Sequence, residues 1–314
     1  MSKPIILLAG PFPDSDMQAL TDAYDCRAYF SAVDKQAFLN EHGDHIRAIA
    51  TRGSIGADAS LIAACPNLEL IAVYGVGYDG VDMAAAQAQN VHVTNTPDVL
   101  TEDVADLGVA MMLSLSRGMN GAETWVRDGS WEQKGLYPLQ RRVFGRSAGI
   151  LGLGRIGIAV ANRLRGFGMN IGYSDLKPTQ TEHDLQFFDD AVSLATHSDF
   201  LFVTLAASEK TRHIVDASVL NALGPDGMLI NISRASNVDE PALLTALETG
   251  KLGSAALDVF DGEPHINPRF LKLNNVLLQP HHASGTVETR ADMGQLMLAN
   301  LASHFTGKGL ITPV

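Results

Sequence analysis

The sequence predicts an α/β protein with two domains, one of which contains a doubly wound parallel sheet. The chain has 314 residues, enough for two domains of about 100–200 residues each. Short apolar runs alternate with amphipathic stretches over most of the chain, which is typical of parallel sheets covered by helices. A glycine-rich turn at residues 152–157 lies between one such run and a helical pattern. Together, these three observations predict the α/β fold class.

The composition narrows the choice of partners. Hydrophobic residues make up 46% of the chain, so a sizeable core can form. No apolar run approaches the roughly 20 residues that span a membrane, and we expect a cytoplasmic protein without a membrane partner. The net charge of −12 argues against nucleic acid as a partner. Cys26 and Cys65 lack disulfide or metal-binding spacing, so we expect free thiols and no metal site.

Residues 1–97 are predicted to form a complete small α/β unit, which Pro97 ends. We predict strands over 5–9, 27–30, 46–51, 68–73 and 91–94. We predict helices over 35–42, 59–64 and 83–89, and an earlier one that Asp14 or Ser15 could cap. Because this unit precedes the glycine-rich turn, it forms a separate domain.

A long helix is predicted over 102–117, with acidic residues in its first turn. Its side chains are apolar nearly all round, so we expect it to be buried between domains or against another subunit. The segment 118–146 carries both tryptophans, Trp125 and Trp131, and is predicted to be irregular.

The alternation resumes over residues 147–286 and predicts a six-stranded sheet. Its strands should end near Leu151, Tyr173, Thr204, Asn231, Leu257 and Leu278. Its helices should cover 155–167, 190–195, 216–222 and 240–248. A last helix over 287–304 is long enough to return to the first domain. We therefore predict one domain from 1–97 with 287–314, and a second from 98–286.

The glycine-rich turn has the order of elements that a dinucleotide site requires. Gly152 permits a tight turn, Gly154 lets the backbone approach a pyrophosphate, and Gly157 lets the helix pack against its strand. The helix N-terminus then offers N–H groups to the phosphates. Asp175 follows the next strand, 18 residues after Gly157. This predicts a Rossmann-type domain that binds NAD or NADP.

Asp175 favours NAD over NADP. Its carboxylate can accept from both ribose hydroxyls and would repel a 2′-phosphate. Lys177 is the nearby cation that favours the opposite choice. We predict NAD as the preferred cofactor, with NADP as the alternative.

Three later strand ends carry polar residues suited to reduction of a 2-oxo acid. Arg234 could bind a carboxylate through two parallel hydrogen bonds. His281 could act as the general acid that protonates the ketone oxygen when a nicotinamide delivers hydride to the carbon. A carboxylate from the segment containing Asp258 and Glu263 would favour the imidazolium form. Ligands of doubly wound sheets bind at these ends, so the three segments should form one site.

These motifs resemble those of the D-isomer-specific 2-hydroxyacid dehydrogenases. The resemblance covers essentially the whole chain and includes the spacing of 29 residues from Arg234 to Glu263 and of 18 from Glu263 to His281. It is greatest for the hydroxypyruvate/glyoxylate reductase and 2-ketogluconate reductase branch, on the stretches 74–79 and 94–101. It implies a flavodoxin-like substrate domain, closure of the two domains over the substrate, and a homodimer formed through helix 102–117.

The resemblance also implies roles for individual residues. His281 is the acid/base, Glu263 is its partner, and Arg234 binds the substrate carboxylate and carbonyl. Substrate contacts are implied for Tyr74, Arg52 and the backbone N–H groups of Val76 and Gly77. Cofactor contacts are implied for Gly152, Gly154, Arg155, Ile156, Gly157, Asp175, Val104, Thr211, Ile232, Asp258 and Gly285.

Several positions depart from the family pattern or remain open. His282 could touch substrate or simply be tolerated. Arg52 could bind substrate or form a structural ion pair. Trp131 or Tyr137 could cap the substrate pocket, although we expect packing roles. Thr204 and Ala206 replace a frequent His and Pro near the adenine pocket.

The resemblance implies reduction of a small 2-oxo acid, such as hydroxypyruvate, glyoxylate or 2-ketogluconate, to the D-2-hydroxy acid, and the reverse reaction. A D-lactate- or phosphoglycerate-type dehydrogenase is the alternative within the family. A phosphorylated substrate should require extra basic residues, for which Arg52 is the candidate in the first domain. A nucleotide-sensing corepressor would keep the fold, but the complete Arg-Glu-His set favours an enzyme.

Overall fold

A computed structural model describes residues 3–180 and 185–314. The chain divides into two compact units, one formed by Met1–Leu100 with Ser284–Val314 and the other by Thr101–Ala283. Both dividing points lie three residues from the predicted boundaries (100 against 97, and 283 against 286). No helix in the described ranges is long and apolar enough to cross a membrane.

The first unit contains a five-stranded parallel sheet. Its strands are β1 (Ile5–Leu8), β2 (Asp25–Ala28), β3 (Ile46–Arg52), β4 (Leu70–Tyr74) and β5 (His92–Thr94). Their spatial order is β2-β1-β3-β4-β5, which is the flavodoxin-like order. The side chains of β4 are buried along its whole length, as expected for a central strand covered by helices on both faces.

Four helices connect these strands: α1 (Asp14–Ala23), α2 (Lys35–His42), α3 (Ala59–Ala63) and α4 (Met83–Ala88). Asp34, Asp58 and Asp82 cap α2, α3 and α4 by accepting a backbone N–H through the side chain. The predicted cap of α1 was wrong. Pro13 occupies its N-cap position without a side-chain bond, and Asp14 already lies within the helix.

The second unit begins with helices. Helix α5 (Thr101–Ser116) is followed by α6 (Met119–Arg127) and α7 (Ser130–Lys134). The prediction of an irregular segment over 118–146 was therefore wrong for 119–134, whereas 135–146 is irregular as predicted. Gly118 and Gly129 adopt positive φ and separate these helices, which sequence periodicity does not reveal. Along α5, Glu102, Asp106 and Ala110 form an exposed face, so this helix is not buried all round.

The second sheet has seven strands where six were predicted. They are β6 (Ser147–Leu151), β7 (Asn170–Ser174), β8 (Gln186–Phe187), β9 (Phe200–Val203), β10 (Met228–Asn231), β11 (Ser254–Leu257) and β12 (Val276–Leu278). The order β12-β11-β10-β9-β6-β7-β8 reverses direction at β6, as in a doubly wound sheet. The unpredicted strand β8 has two residues, too few to show a hydrophobic period.

Helices α8 (Arg155–Arg165), α9 (Ala191–Thr196), α10 (Ala217–Leu223) and α11 (Glu240–Glu248) connect the strands of this sheet. The chain then returns to the first unit through α12 (Val287–Phe305), which packs against α1 and β4. The final residues of the chain cover the edge strand β5 of the first sheet. Val314 donates to the Val93 carbonyl, and the Asn95 N–H donates to the Thr312 carbonyl.

Candidate active site

The glycine-rich turn has the shape that a pyrophosphate requires. Gly152 adopts φ +99°, and a Cβ there would lie 2.8 Å from the Leu205 nitrogen. A Cβ at Gly157 would lie 2.2 Å from the Gly152 carbonyl oxygen, so neither position accepts a side chain. A Cβ at Gly154 would meet nothing within 4 Å, so the backbone there is open to a ligand. The residues of this turn therefore fit a dinucleotide.

The start of α8 supplies donors to this open side. Gly154 occupies the N-cap position, and the helix begins at Arg155. The N–H groups of Gly154 and Ile156 donate to no residue in the described ranges. Such N–H groups and the helix dipole favour a bound phosphate.

Asp175 supports the turn from the end of β7. One carboxylate oxygen accepts from the Leu153 N–H at 2.8 Å and the other from the Leu176 N–H at 2.7 Å. Each oxygen retains lone pairs for a further donor such as a ribose hydroxyl. Asp175 therefore has a structural function, and its contact with a ribose stays a prediction.

Thr204 fixes the other side of the turn, a contact that the sequence did not reveal. Its hydroxyl donates to the carbonyl of Gly152 at 2.6 Å. The polar residue directly after the buried strand β9 was the available signal.

His281 and Glu263 form the reactive pair of the second unit. The His281 Nδ1 atom lies 2.6 Å from Glu263 Oε2, and both side chains are partly exposed. Glu263 Oε1 accepts from the Phe260 N–H at 2.8 Å, which fixes the carboxylate in place. With Nδ1 engaged, Nε2 is left as the imidazole nitrogen that can exchange a proton with a ligand.

The pKa of the Glu263 carboxyl lies below its ordinary value. Burial raises its pKa, but the hydrogen bonds from His281 and Phe260 and the charges of His281 and Arg234 outweigh burial and hold the pKa below 4.5. The ionised carboxylate therefore lies against the His281 ring and fixes its orientation.

Asp258 organises the loop that carries His281. Its side chain is 1% exposed and accepts from the N–H groups of His282, at 2.9 Å, and Ala283, at 3.0 Å. Burial raises the pKa of Asp258 although these hydrogen bonds oppose it. His281 itself has φ +50°, a conformation that costs a non-glycine residue about 1–3 kcal/mol. The two bonds hold the loop in this conformation.

Arg234 rests on a buried polar network that sequence reasoning missed. Asn231 Oδ1 accepts from the N–H and hydroxyl of Ser233, and its amide donates to the Arg234 carbonyl at 3.0 Å. Asn237 donates to the Ser233 hydroxyl and to the Leu205 carbonyl, both at 3.0 Å. The network joins the loop of Arg234 to the residue that packs on Gly152. Polar residues at the end of the buried strand β10 were the signal for it.

The first unit presents two open backbone donors at the end of β4. Gly75 and Thr96 exchange two hydrogen bonds of 2.9 Å, and the Asn95 amide donates to the Val76 carbonyl at 2.8 Å. Within the described chain, the N–H groups of Val76 and Gly77 donate to nothing. Successive free N–H groups of this kind can bind a carboxylate.

Arg52 and Tyr74 lie at neighbouring positions in the register of β3 and β4. Arg52 makes no ion pair with a described residue, which removes the alternative of a structural ion pair. Tyr74 is buried and donates its hydroxyl to the Arg290 carbonyl at 2.8 Å.

The remaining predicted residues occupy varied environments. Val104 on α5 and Ile232 after β10 are buried, and Ile232 packs against Gly108 of α5. The Thr211 hydroxyl bonds within its own loop, to the Ala206 carbonyl at 2.9 Å. Gly285 is exposed and lies just before α12.

The aromatic side chains of His282, Tyr137 and Trp131 lie in three different environments. His282 hydrogen-bonds Gln279 through its ring at 2.7 Å, which accounts for it without a substrate. Tyr137 packs as predicted, with its ring 5.7 Å from that of Trp125. Trp131 is 59% exposed, so its predicted packing role was wrong within the second unit.

The two cysteines are unsuited to nucleophilic chemistry. Burial, and for Cys26 also the charge of Asp25, raises each thiol pKa to about 11, so both remain protonated at neutral pH. In the described ranges, His, Cys, Asp and Glu side chains form no group that could hold a metal ion.

Comparison with known proteins identifies the family. Residues 109–283 match the family described as D-isomer specific 2-hydroxyacid dehydrogenase, NAD binding domain. Glyoxylate/hydroxypyruvate reductase A of Arabidopsis thaliana is 43% identical over 309 residues, covering 98% of each chain.

Two solved structures superpose on the whole chain. A 2-hydroxyacid dehydrogenase from Ketogulonicigenium vulgare Y25 has a TM-score of 0.94 and 64% identity, covering 100% of this chain and 99% of that one. The NADPH-dependent glyoxylate/hydroxypyruvate reductase of Sinorhizobium meliloti, in complex with NADP and malonate, has a TM-score of 0.91 and 38% identity, covering 100% and 97%. The chain belongs to the D-isomer specific 2-hydroxyacid dehydrogenase family and carries its NAD-binding domain.

Proposed function

We propose that the protein reduces a small 2-oxo acid to the D-2-hydroxy acid and catalyses the reverse reaction, with His281 as the acid/base. The observation that supports this most directly is the 2.6 Å contact between His281 Nδ1 and Glu263 Oε2 in a chain of this family. The contact leaves Nε2 for the substrate oxygen and stabilises the imidazolium before proton transfer.

A bound NADH or NADPH supplies the hydride. His281 Nε2 donates its proton to the ketone oxygen as negative charge develops there, and recovers a proton from solvent after release of the alcohol. Glu263 stabilises the imidazolium and stays ionised throughout. Arg234 binds the carboxylate and polarises the carbonyl with its charge.

Further residues are proposed to position the ligands. The free N–H groups of Val76 and Gly77 support a contact to the substrate carboxylate. Gly152, Gly154, Arg155, Ile156 and Gly157 are proposed to hold the pyrophosphate. We propose Val104, Thr211, Ile232, Asp258 and Gly285 as further cofactor contacts. In these roles, Met1–Leu100 with Ser284–Val314 is the substrate domain and Thr101–Ala283 the dinucleotide domain.

We propose NAD as the preferred cofactor because Asp175 would repel a 2′-phosphate. The S. meliloti relative is NADPH-dependent, so the choice varies among related proteins. Lys177 lies two residues from Asp175 and is the cation that could favour NADP in this chain.

A cytoplasmic homodimer is the proposed state. Large apolar side chains are exposed along 119–144, among them Leu136 at 87% and Leu139 at 100%. Apolar surface of this kind commonly lies in an interface between identical subunits.

The name of the Arabidopsis relative supports hydroxypyruvate and glyoxylate as substrates. The resemblance of the sequence to the 2-ketogluconate reductase branch supports 2-ketogluconate as a further substrate. The second candidate function is that of a D-lactate- or phosphoglycerate-type dehydrogenase. Small size and a 2-oxo group next to a carboxylate are the features that all of these substrates share.

The proposal is tested by initial rates with NADH and NADPH against a panel of 2-oxo acids. We expect turnover of several small 2-oxo acids by the wild type. In His281→Ala, kcat should fall by about 10²–10⁴ because the general acid is lost, while NADH still binds in a fluorescence titration. Unchanged turnover in this variant would overturn the role of His281.

A further inference from the structure

Two arginines of the first unit flank a single aromatic pair. Arg52 ends β3, and Arg290 lies in the first turn of α12. The Arg52 guanidinium is 5.9 Å from the ring centre of Phe12, and the Arg290 guanidinium is 5.9 Å from that of Tyr74. The two rings meet edge to face with centres 5.6 Å apart. The two positive charges interact with each other across this pair of rings.

The described chain offers neither arginine a carboxylate partner for its positive charge. Neither makes an ion pair with a carboxylate there, and the Arg52 Nε atom is buried without a hydrogen-bond partner. Burial first, and then the charge of Arg290, lower the pKa of Arg52. Like charges and a buried unsatisfied donor both cost free energy, and a bound anion would relieve both costs.

Asp16 interacts electrostatically with Tyr74 of this cluster, and it cannot balance both arginines. It is 6% exposed, its Oδ2 atom is buried without a hydrogen-bond partner among the described residues, and burial raises its pKa. It is held against α12, since a Cβ at Gly294 would lie 2.1 Å from Asp16 Oδ1. A single carboxylate offsets at most one of the two positive charges, so the cluster keeps an excess positive charge.

The cluster adjoins the proposed carboxylate-binding loop. Arg52 is in register with Tyr74, and Gly75, Val76 and Gly77 follow Tyr74 directly. Because β3 and β4 are parallel neighbours, both ends lie at the same edge of the sheet. A ligand on the Val76 and Gly77 N–H groups would therefore have Arg52 on the adjacent strand end.

We propose that Arg52 and Arg290 form a second anion site, which binds an anionic group at the far end of the substrate. The preferred substrates are then 2-oxo acids that carry a distal carboxylate or phosphate. This inference rests on the proposed function, because it assigns the substrate class of the same site. Guanidinium groups bind either anion through paired N–H donors.

The test compares substrates that differ in the distal group. Rates are measured with 2-oxoglutarate against 2-oxopentanoate, and with phosphohydroxypyruvate against hydroxypyruvate. In the wild type, kcat/KM should be roughly tenfold or more higher for the anionic member of one pair, as expected for a charge-assisted bond. The pair that shows the preference identifies the distal group as carboxylate or phosphate.

Variants then assign the preference to the two arginines. Arg52→Gln and Arg290→Gln should each lower the ratio of kcat/KM between anionic and neutral partners roughly tenfold. Arg52→Lys keeps the charge and should retain a higher ratio than Arg52→Gln. The control is Arg47→Gln on the same strand, whose partner is Glu69, and it should keep the wild-type ratio.

Binding without turnover separates this inference from the proposed function. Addition of 2-oxoglutarate or inorganic phosphate should raise the thermal midpoint of the wild type more than that of Arg52→Gln. Turnover of neutral acids with no preference for an anionic partner would overturn the anion site and leave the proposed function standing. Failure to reduce any 2-oxo acid would overturn the proposed function, and the anion site would then be judged by the thermal shifts alone.

Discussion

His281 adopts a backbone conformation that side-chain-bearing residues rarely occupy. Glycine would adopt φ +50° at lower cost, but it could not supply an imidazole. Asp258, Glu263 and Phe260 hold the loop, the ring and the carboxylate, respectively, through hydrogen bonds of 2.6–2.9 Å. These hydrogen bonds therefore stabilise the unfavourable backbone conformation of His281.

Replacement of Glu263 by glutamine should separate its electrostatic effect from its position. Glutamine can still accept from the Phe260 N–H, but it does not stabilise an imidazolium. We expect kcat for reduction to fall roughly tenfold or more. Initial rates at neutral pH measure this effect. A kcat equal to that of the wild type would contradict the role of Glu263.

The same substitution has a predicted effect on stability. Because the pKa of Glu263 is held below 4.5, its carboxylate stabilises the folded state above that pH, and the contribution is lost as the pH falls through the lowered pKa. The difference in unfolding free energy between wild type and Glu263→Gln should shrink below about pH 4.5.

Asp175 should influence both cofactor choice and the shape of the glycine-rich turn. In Asp175→Ala we expect the ratio of kcat/KM for NADPH over NADH to rise roughly tenfold, since repulsion of a 2′-phosphate is removed. The KM for both cofactors should also rise, because the bond to the Leu153 N–H is lost. Asp226→Ala, at an acid 90% exposed in the same unit, is the matched control. An unaltered ratio would falsify the argument for NAD.

At the level of elements, the loop after β10 shows how far sequence analysis reaches. The motif predicted Arg234 and the end of its strand, because a buried apolar run followed by polar residues has a clear pattern. The bonds among Asn231, Ser233 and Asn237 could not be predicted, because they depend on rotamers and on the distant Leu205. Short elements such as β8 were missed for a related reason, since two residues carry no period.

Asn237 should act as a positioning residue that supports Arg234. It is fully buried, and Asn237→Ala removes its bonds to Ser233 and Leu205. We expect a loss of about 1–3 kcal/mol in unfolding free energy and a rise in KM for the 2-oxo acid that exceeds the fall in kcat. Urea unfolding and steady-state kinetics measure these effects. The exposed Asn221→Ala should change neither, and equal effects in both variants would count against the network.

For the whole molecule, the sequence predicted two α/β units and the order of nearly all elements. The glycine-rich turn and the alternation of strands and helices suffice for this, because each parallel strand must be followed by a crossover. The helices of 118–146 escaped prediction because glycines with positive φ interrupt them. The cluster of Arg52 and Arg290 escaped prediction because the two residues are 238 positions apart along the chain.

The C-terminal residues that cover the edge of the first sheet are synthesised long after the strand that they cover. Asn95 meets Thr312, 217 residues later, and Val93 meets Val314. A ribosome therefore releases β5 long before the segment that covers its free edge exists. During that interval the exposed edge could pair with another chain, so correct folding depends on the later segment arriving before such pairing.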